Sequence, residues 1–172
     1  IAKFKCSWFS AVPTQFSYIL NNEETPEDTS SLRFARSASA PLSPDIHKKF
    51  EKRFNIPIIE TMGLTETGSQ ITTNPMPPGQ RKIGSPGKAY GNQIMIGDDQ
   101  FEALPAGETG EILVKGDNVM QGYFKQPEET HKTILGNGWL RTGDLGYLDT
   151  DGYVFVSGRI KELIIKGGEN IA

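Results

Sequence analysis

Residues 139–172 read WLRTGDLGYLDTDGYVFVSGRIKELIIKGGENIA, and this stretch decides how the rest of the chain is interpreted. Asp144 lies in a tight Thr-Gly-Asp turn, and residues 149–152 form a predicted hairpin turn between two tyrosines. A Gly-Arg-x-Lys-Glu junction and a glycine pair at residues 167–168 follow. Short strands that alternate with such turns indicate antiparallel β structure.

The antiparallel pattern begins near residue 83. Strands are predicted at residues 93–96, 111–115 and 152–156, and a short helix is predicted to begin at Pro127 and to end before Gly136. Turns rich in Gly, Pro and Asp separate them. We therefore predict a small antiparallel β-barrel-like subdomain over residues 91–158.

Strands and helices alternate in the first part of the chain. Strands are predicted at residues 6–12, 32–36 and 56–59, and helices at Pro13 and at Ser43-Pro44, where a hydroxyl caps the second helix. In that helix Ile46, Phe50 and Phe54 recur every four residues and form one apolar stripe. Its lysines and Glu51 are expected to face water, and His47 is expected to stand alone on its surface. The order predicts an α/β fold, with a partial parallel αβ sheet over residues 1–90.

Composition excludes several classes of protein. The net charge of −3 gives no general attraction to nucleic acid or anionic lipid. A single cysteine, Cys6, rules out an intrachain disulfide and suits a reducing, cytoplasmic compartment. No run approaches the ~20 apolar residues of a membrane span, which leaves only peripheral membrane contact open. The chain begins inside an apolar pattern without an initiator Met, so we expect a piece of a longer protein.

Residues 60–67, ETMGLTET, are the first candidate for chemistry. They follow a predicted strand at its carboxyl end, where ligands of open α/β sheets bind. Gly63 permits close backbone approach, Thr65 offers a hydroxyl, and Glu66 offers a carboxylate for Mg²⁺ beside substrate phosphates. The alternative is a polar loop capped by threonines.

Asp144 is the second candidate. A carboxylate held by a tight glycine turn can accept two sugar hydroxyls, each charged hydrogen bond contributing about 1.5–3 kcal/mol. The alternative is an ordinary Asx-type turn.

Six motifs in order give the chain a family resemblance. They are RSASAPL (36–42), ETMGLTETG (60–68), GSPG (84–87), GETGEILVKG (107–116), WLRTGDLGYLDTDGYVFVSGRIKEL (139–163) and KGGENIA (166–172). Together they closely resemble the AMP-forming acyl-CoA synthetases of the adenylate-forming superfamily. The resemblance implies that a carboxylic acid and ATP·Mg²⁺ form an acyl-adenylate, from which CoA then displaces AMP.

The resemblance also implies roles for individual residues. Residues along the adenine are Ser39, Ala40 and Pro41. The opposite wall comprises Glu60, Thr61, Met62, Gly63 and Leu64, with Thr65 near the α-phosphate and Glu66 on Mg²⁺. Asp144 and Arg159 would bind the ribose, and Lys161 would lie at the hinge. Gly167 and Gly168 would belong to the loop that approaches CoA. Residues 159–172 would be the hinge and the start of a C-terminal domain.

Two departures and two missing parts qualify these roles. The family usually has Gly where Ala38 or Ser39 stands and an aromatic residue at Met62. Its triphosphate-binding loop and its catalytic lysine would lie outside residues 1–172. We therefore expect this chain alone to be inactive in adenylation. For the cut edge at residues 163–166 two alternatives stay open, disorder or pairing with another copy of the chain.

The substrate and the branch of the superfamily stay open at this point. The motifs do not identify the acid, whether a fatty acid or another. A peptide-synthetase adenylation domain and the oxalate-activating branch are alternative enzymes. A protein that keeps the fold for binding without catalysis is the alternative from another class.

Overall fold

The computed structural model describes residues 1–22, 28–162, 164–166 and 169–171. The chain divides into two units. The first contains Ile1–Met62 and Thr73–Gly87, and the second contains Gly63–Thr72 and Lys88–Ala172. The predicted domain boundaries at residues 90/91 and 158/159 stay predictions.

The first unit is built on a parallel sheet. Its elements are β1 (Trp8–Ala11), α1 (Pro13–Asn21), β2 (Phe34–Ser37), α2 (Pro44–Phe54) and β3 (Ile58–Leu64), whose last two residues belong to the second unit. β1 pairs in parallel with β2, and β2 pairs in parallel with β3. The predicted parallel αβ arrangement is confirmed.

The core of the first unit contains a cluster of phenylalanine rings among aliphatic side chains. Phe16 and Phe50 are fully buried, and their rings meet edge to face with centroids 5.0 Å apart. Ile46 and Phe54 pack against this cluster, which confirms the predicted stripe of α2. The helix begins at Pro44 as predicted, but the hydroxyl of Ser43 makes no capping hydrogen bond.

The second unit contains the antiparallel sheet. Its strands are β6 (Gln93–Gly97), β7 (Gly110–Lys115), β8 (Leu140–Leu148) and β9 (Val154–Arg159), hydrogen-bonded in that order. β7 is the most buried of them, with Ile112, Leu113 and Val114 inaccessible to solvent. β8 was not predicted from the sequence, yet it joins β7 to β9.

Shorter elements complete the described chain. They are β4 (Ser69–Thr73), β5 (Lys88–Ala89), α3 (Pro127–Thr133), β10 (Ile164–Lys166) and β11 (Glu169–Ile171). α3 begins at Pro127 and ends before Gly136, as predicted. β10 and β11 pair with each other in antiparallel fashion. Across the described ranges, no helix is both long enough and apolar enough to cross a membrane.

The aromatic core gives a first prediction. Phe50→Ala should lower the free energy of unfolding of the 172-residue chain by about 3–5 kcal/mol, because it leaves a cavity between Phe16 and Phe54. Urea unfolding followed by circular dichroism measures the change. Phe124→Ala is the matched control, because that ring is 85% exposed, and it should change stability by less than about 0.5 kcal/mol. Equal effects of the two substitutions would contradict this description of the core.

Candidate active site

The predicted adenine segment follows β2 in the first unit. Ser39, Ala40 and Pro41 are all exposed. Ser39 has a φ of +76°, in the left-handed region that glycine enters freely and other residues enter at a cost of roughly 1–3 kcal/mol. This backbone conformation explains why a glycine would suit position 39. The serine that stands there is strained.

The carboxyl end of β2 lies beside the middle of β3, with Ser37 opposite Glu60. The buried hydroxyl of Thr61 accepts a hydrogen bond from Nε of Arg36 at 3.1 Å and donates to the carbonyl of Ser37 at 3.3 Å. Arg36 is half-buried, and no other hydrogen bond of its guanidinium is found among the described residues. The first unit thus presents a cation at the edge of the sheet where ligands of such folds bind.

His47 is buried, contrary to the prediction that it stands alone on a helix surface. It is 1% exposed; its Nδ1 lies 2.9 Å from a carboxylate oxygen of Glu60 and its Nε2 lies 3.0 Å from one of Glu51. The same oxygen of Glu60 accepts the backbone N–H of Gly84 at 3.1 Å. The carboxylate of Glu60 therefore connects α2, through His47, and the loop at Gly84 to strand β3.

Glu51 is also not the water-facing residue that was predicted. Its carboxylate accepts hydrogen bonds from Arg81 and from the backbone N–H of Ile58. Burial acts to raise the pKa of Glu51, but the hydrogen bonds from Arg81 and Ile58 and the charges of His47 and Arg81 outweigh it, so the pKa lies below its ordinary value of 4.5. Glu51 is therefore an ionised structural anchor of the segment that leads into Glu60.

The motif ETMGLTET extends β3 rather than following it. Glu60 to Leu64 are strand residues, and Thr65 begins one turn of 3-10 helix that ends at Gly68. Gly63 is required, because a Cβ there would lie 2.0 Å from the carbonyl oxygen of Ser69. The chain folds back so that Ser69 lies against Gly63, and the turn between them contains exposed Thr65 and half-buried Glu66.

Glu66 has a partner that the sequence did not suggest. The hydroxyl of Tyr123 donates to its Oε1 at 2.8 Å. Burial, and then the hydrogen bond and charge of Glu66, raise the pKa of Tyr123 above 10.0, so the phenol stays protonated and acts as the donor. A single carboxylate of this kind fits Mg²⁺, which usually takes one or two protein carboxylates.

Asp144 lies within strand β8, not in the tight turn that was predicted. Between paired positions, three residues of β8 (142–144) face the single residue Ile112 of β7, which makes a bulge. Gly143 has a φ of +72° in this bulge. The Thr142 hydroxyl donates to the carbonyl of Ile112 at 2.8 Å and accepts the N–H of Asp144 at 3.0 Å.

A buried carboxylate, Glu111, holds the bulge in place. Its Oε1 accepts the backbone N–H of Gly143 at 3.0 Å, and its Oε2 accepts the Nε–H of Arg141 at 3.0 Å. The same Oε2 lies 3.0 Å from Nη2 of Arg141, which completes an ion pair. Glu111 is 6% exposed. Asp144 is thereby presented from a rigid, hydrogen-bonded strand rather than from a mobile loop.

Asp144 and Arg159 are brought together as the resemblance implied. They are cross-strand neighbours, and Nε of Arg159 donates to Oδ1 of Asp144 at 2.8 Å. Lys161 follows at an exposed position in the 3-10 turn Ile160–Glu162. Gly167 and Gly168 lie outside the described residues.

Comparison with known proteins shows which family the chain belongs to. The family model described as AMP-binding enzyme matches residues 1–124. The chain belongs to this family. Together with the relatives below, the match confirms the resemblance to AMP-forming acyl-CoA ligases of the adenylate-forming superfamily.

Two curated relatives and one solved structure show the extent of the similarity. The chain is 50% identical to sulfoacetate–CoA ligase of Cupriavidus necator over 99% of its length and 33% of that protein, and 42% identical to oxalate–CoA ligase of Saccharomyces cerevisiae over 99% and 31%. The O-succinylbenzoate coenzyme A synthetase of Bacillus subtilis, in complex with ATP and magnesium ion, superposes with a TM-score of 0.85 at 36% identity, over 99% of this chain and 35% of that one. The chain spans about a third of the length of the curated relatives it matches.

The Glu51 anchor predicts a pH dependence of stability. Since its pKa is lowered in the folded state, its contribution is present above about pH 4.5 and is lost as pH falls through the folded pKa. Urea unfolding of the chain between about pH 5 and about pH 3 should show falling stability, and Glu51→Gln should flatten that slope. Glu128→Gln, at an exposed position, is the control and should leave the slope unchanged. A slope that Glu51→Gln does not alter would contradict the anchoring role.

Proposed function

We propose that the chain is part of an acid–CoA ligase that activates a carboxylic acid with ATP and transfers the acyl group to CoA. The observation that carries the proposal is the pair of Asp144 and Arg159. The family resemblance assigns both residues to the ribose, and Nε of Arg159 lies 2.8 Å from Oδ1 of Asp144 across paired strands. The buried carboxylate of Glu111 holds the backbone of Gly143, directly before Asp144. The named activities of the two curated relatives support the same reaction class.

In the proposed reaction, an oxygen of the acid attacks the α-phosphorus of ATP and the bond to pyrophosphate breaks. The thiolate of CoA then attacks the acyl carbon, and AMP leaves with the bonding electrons. AMP is a far better leaving group than the oxygen of a free carboxylate. The work of the protein is therefore to hold the nucleotide and the acid in line.

We base the residue roles on the motif resemblance, and the local geometry supports them. Adenine would lie along the segment from Ser39 to Pro41, against the backbone of residues 60–64. The hydroxyl of Thr65 is free of hydrogen bonds among the described residues and would donate to the α-phosphate. Asp144 would accept ribose hydroxyls beside Arg159, and Lys161 would be the hinge between the two half-reactions.

Glu66 is the residue that we assign to Mg²⁺. Its donor chemistry fits, because an ionised oxygen ligand is what this cation prefers. When bound, the metal would neutralise part of the negative charge of the phosphates. Glu66 would hold it beside the phosphates, next to Thr65 on the same turn of the chain.

We further propose that the acid is short and carries a second anionic group. Sulfoacetate and oxalate, the acids in the names of the two relatives, both have this character. Arg36 supplies the matching charge, since it is half-buried with only Nε engaged, by Thr61. A guanidinium can bind a carboxylate or sulfonate through two parallel hydrogen bonds. A fatty acid would leave this cation without an ionic partner.

An ATP–pyrophosphate exchange assay on the complete ligase tests this proposal. Oxalate or sulfoacetate should support exchange far better than acetate. Arg36→Gln should lower kcat/KM for these doubly anionic acids by about 10-fold to 100-fold, while acetate should respond little.

Arg33→Gln is the matched control. Arg33 is exposed directly before β2, and its substitution should have no such effect. No acid-dependent exchange with any acid would overturn the ligase assignment. An equal loss with acetate and with the doubly anionic acids would overturn the role of Arg36 alone.

A further inference from the structure

The loop of residues 116–123 contacts the Thr65–Thr67 turn at three points, all inside the second unit. Nδ2 of Asn118 donates to the carbonyl of Thr67 at 3.1 Å. The backbone N–H of Met120 donates to the carbonyl of Glu66 at 2.8 Å, and the hydroxyl of Tyr123 donates to Oε1 of Glu66 at 2.8 Å. Both the backbone and the side chain of Glu66 are therefore held by one loop.

Tyr123 is itself fixed at its other end. Its backbone N–H donates to Oγ1 of Thr130 at 2.9 Å, and that hydroxyl donates to the carbonyl of Gln126 at 2.9 Å, at the start of α3. Gly122 lies against Thr130 so closely that a Cβ would come within 2.7 Å of its methyl group. The phenol thus reaches Glu66 from a position set by the fold.

The contact leaves the other oxygen of Glu66 available. Of the described residues, none donates a hydrogen bond to Oε2. A tyrosine donor is neutral, so it orients the carboxylate without cancelling its charge, as a lysine or arginine would. Groups that orient the ligands of a metal in this way commonly contribute 10-fold to 100-fold to metal affinity.

We infer that Tyr123 is a positioning residue that holds Oε1 of Glu66 so that Oε2 faces the magnesium ion of the nucleotide complex. The inference rests on the proposed function, in which Glu66 holds that metal. It assigns a role to the loop of residues 116–123 that sequence motifs did not indicate. Tyr123 acts through Glu66 and touches neither nucleotide nor acid.

Binding of Mn²⁺ in the presence of ATP, followed by electron paramagnetic resonance on the complete ligase, tests the inference. Tyr123→Phe should weaken Mn²⁺ binding by about tenfold or more, and should raise the Mg²⁺ concentration for half-maximal pyrophosphate exchange to a similar extent. Its affinity for ATP without metal and its unfolding midpoint should stay close to those of the unaltered ligase.

Tyr90→Phe removes the same hydroxyl from a ring that is 68% exposed and serves as the matched control, with no change expected. Metal affinity in Tyr123→Phe equal to that of the unaltered ligase would overturn the inference. A loss of metal-free ATP binding together with a lowered unfolding midpoint would also overturn it, because it would show a structural role only. An unaltered ligase that binds Mn²⁺ no better with ATP than without would overturn the proposed function and this inference together.

Discussion

The buried carboxylate of Glu111 is the interaction on which the candidate site of the second unit depends. It accepts the N–H of Gly143 and the Nε–H of Arg141, with which it forms an ion pair, and so fixes the three residues of β8 that bulge away from the ladder. Without it, the half-buried backbone N–H of Gly143 and the charged side chain of Arg141 would both lose their acceptor, at a cost of up to about 1–3 kcal/mol for each unsatisfied group. The bulge turns Asp144 towards Arg159 while keeping both residues on a rigid sheet.

Hydrogen-bonded carboxylates also hold the backbone of the first unit. Glu60 and Glu51 are held by His47, Arg81 and backbone N–H groups, and Glu60 begins the segment assigned to the nucleotide. In both units a carboxylate that does no chemistry holds backbone that is proposed to bind substrate. Such networks stabilise only when all their members are satisfied, which makes them sensitive to substitution.

Sequence reasoning succeeded where a local period or an ordered set of motifs carries the information. The apolar stripe of α2, the parallel order of the first strands and the pairing of Asp144 with Arg159 all belong to that class. It failed where partners are distant in sequence. Glu111 and Arg141 are 30 residues apart, and Glu66 and Tyr123 are 57 apart, so that only the folded register brings them together. The local pattern Thr-Gly-Asp suggested a turn, whereas the pairing with β7 and β9 makes it part of a strand.

The selectivity of the complete ligase for ATP over 2′-deoxy-ATP tests most directly whether Glu111 presents Asp144 to the ribose. The unaltered ligase should prefer ATP by roughly tenfold or more in kcat/KM, since a charged hydrogen bond contributes about 1.5–3 kcal/mol. Asp144→Asn should reduce this preference, and Glu111→Gln should reduce it as well, although Glu111 does not touch the nucleotide. Glu108→Gln, at an exposed position nearby in the chain, should leave the preference intact. A Glu111→Gln ligase that discriminates between the two nucleotides as well as the unaltered ligase would contradict the account.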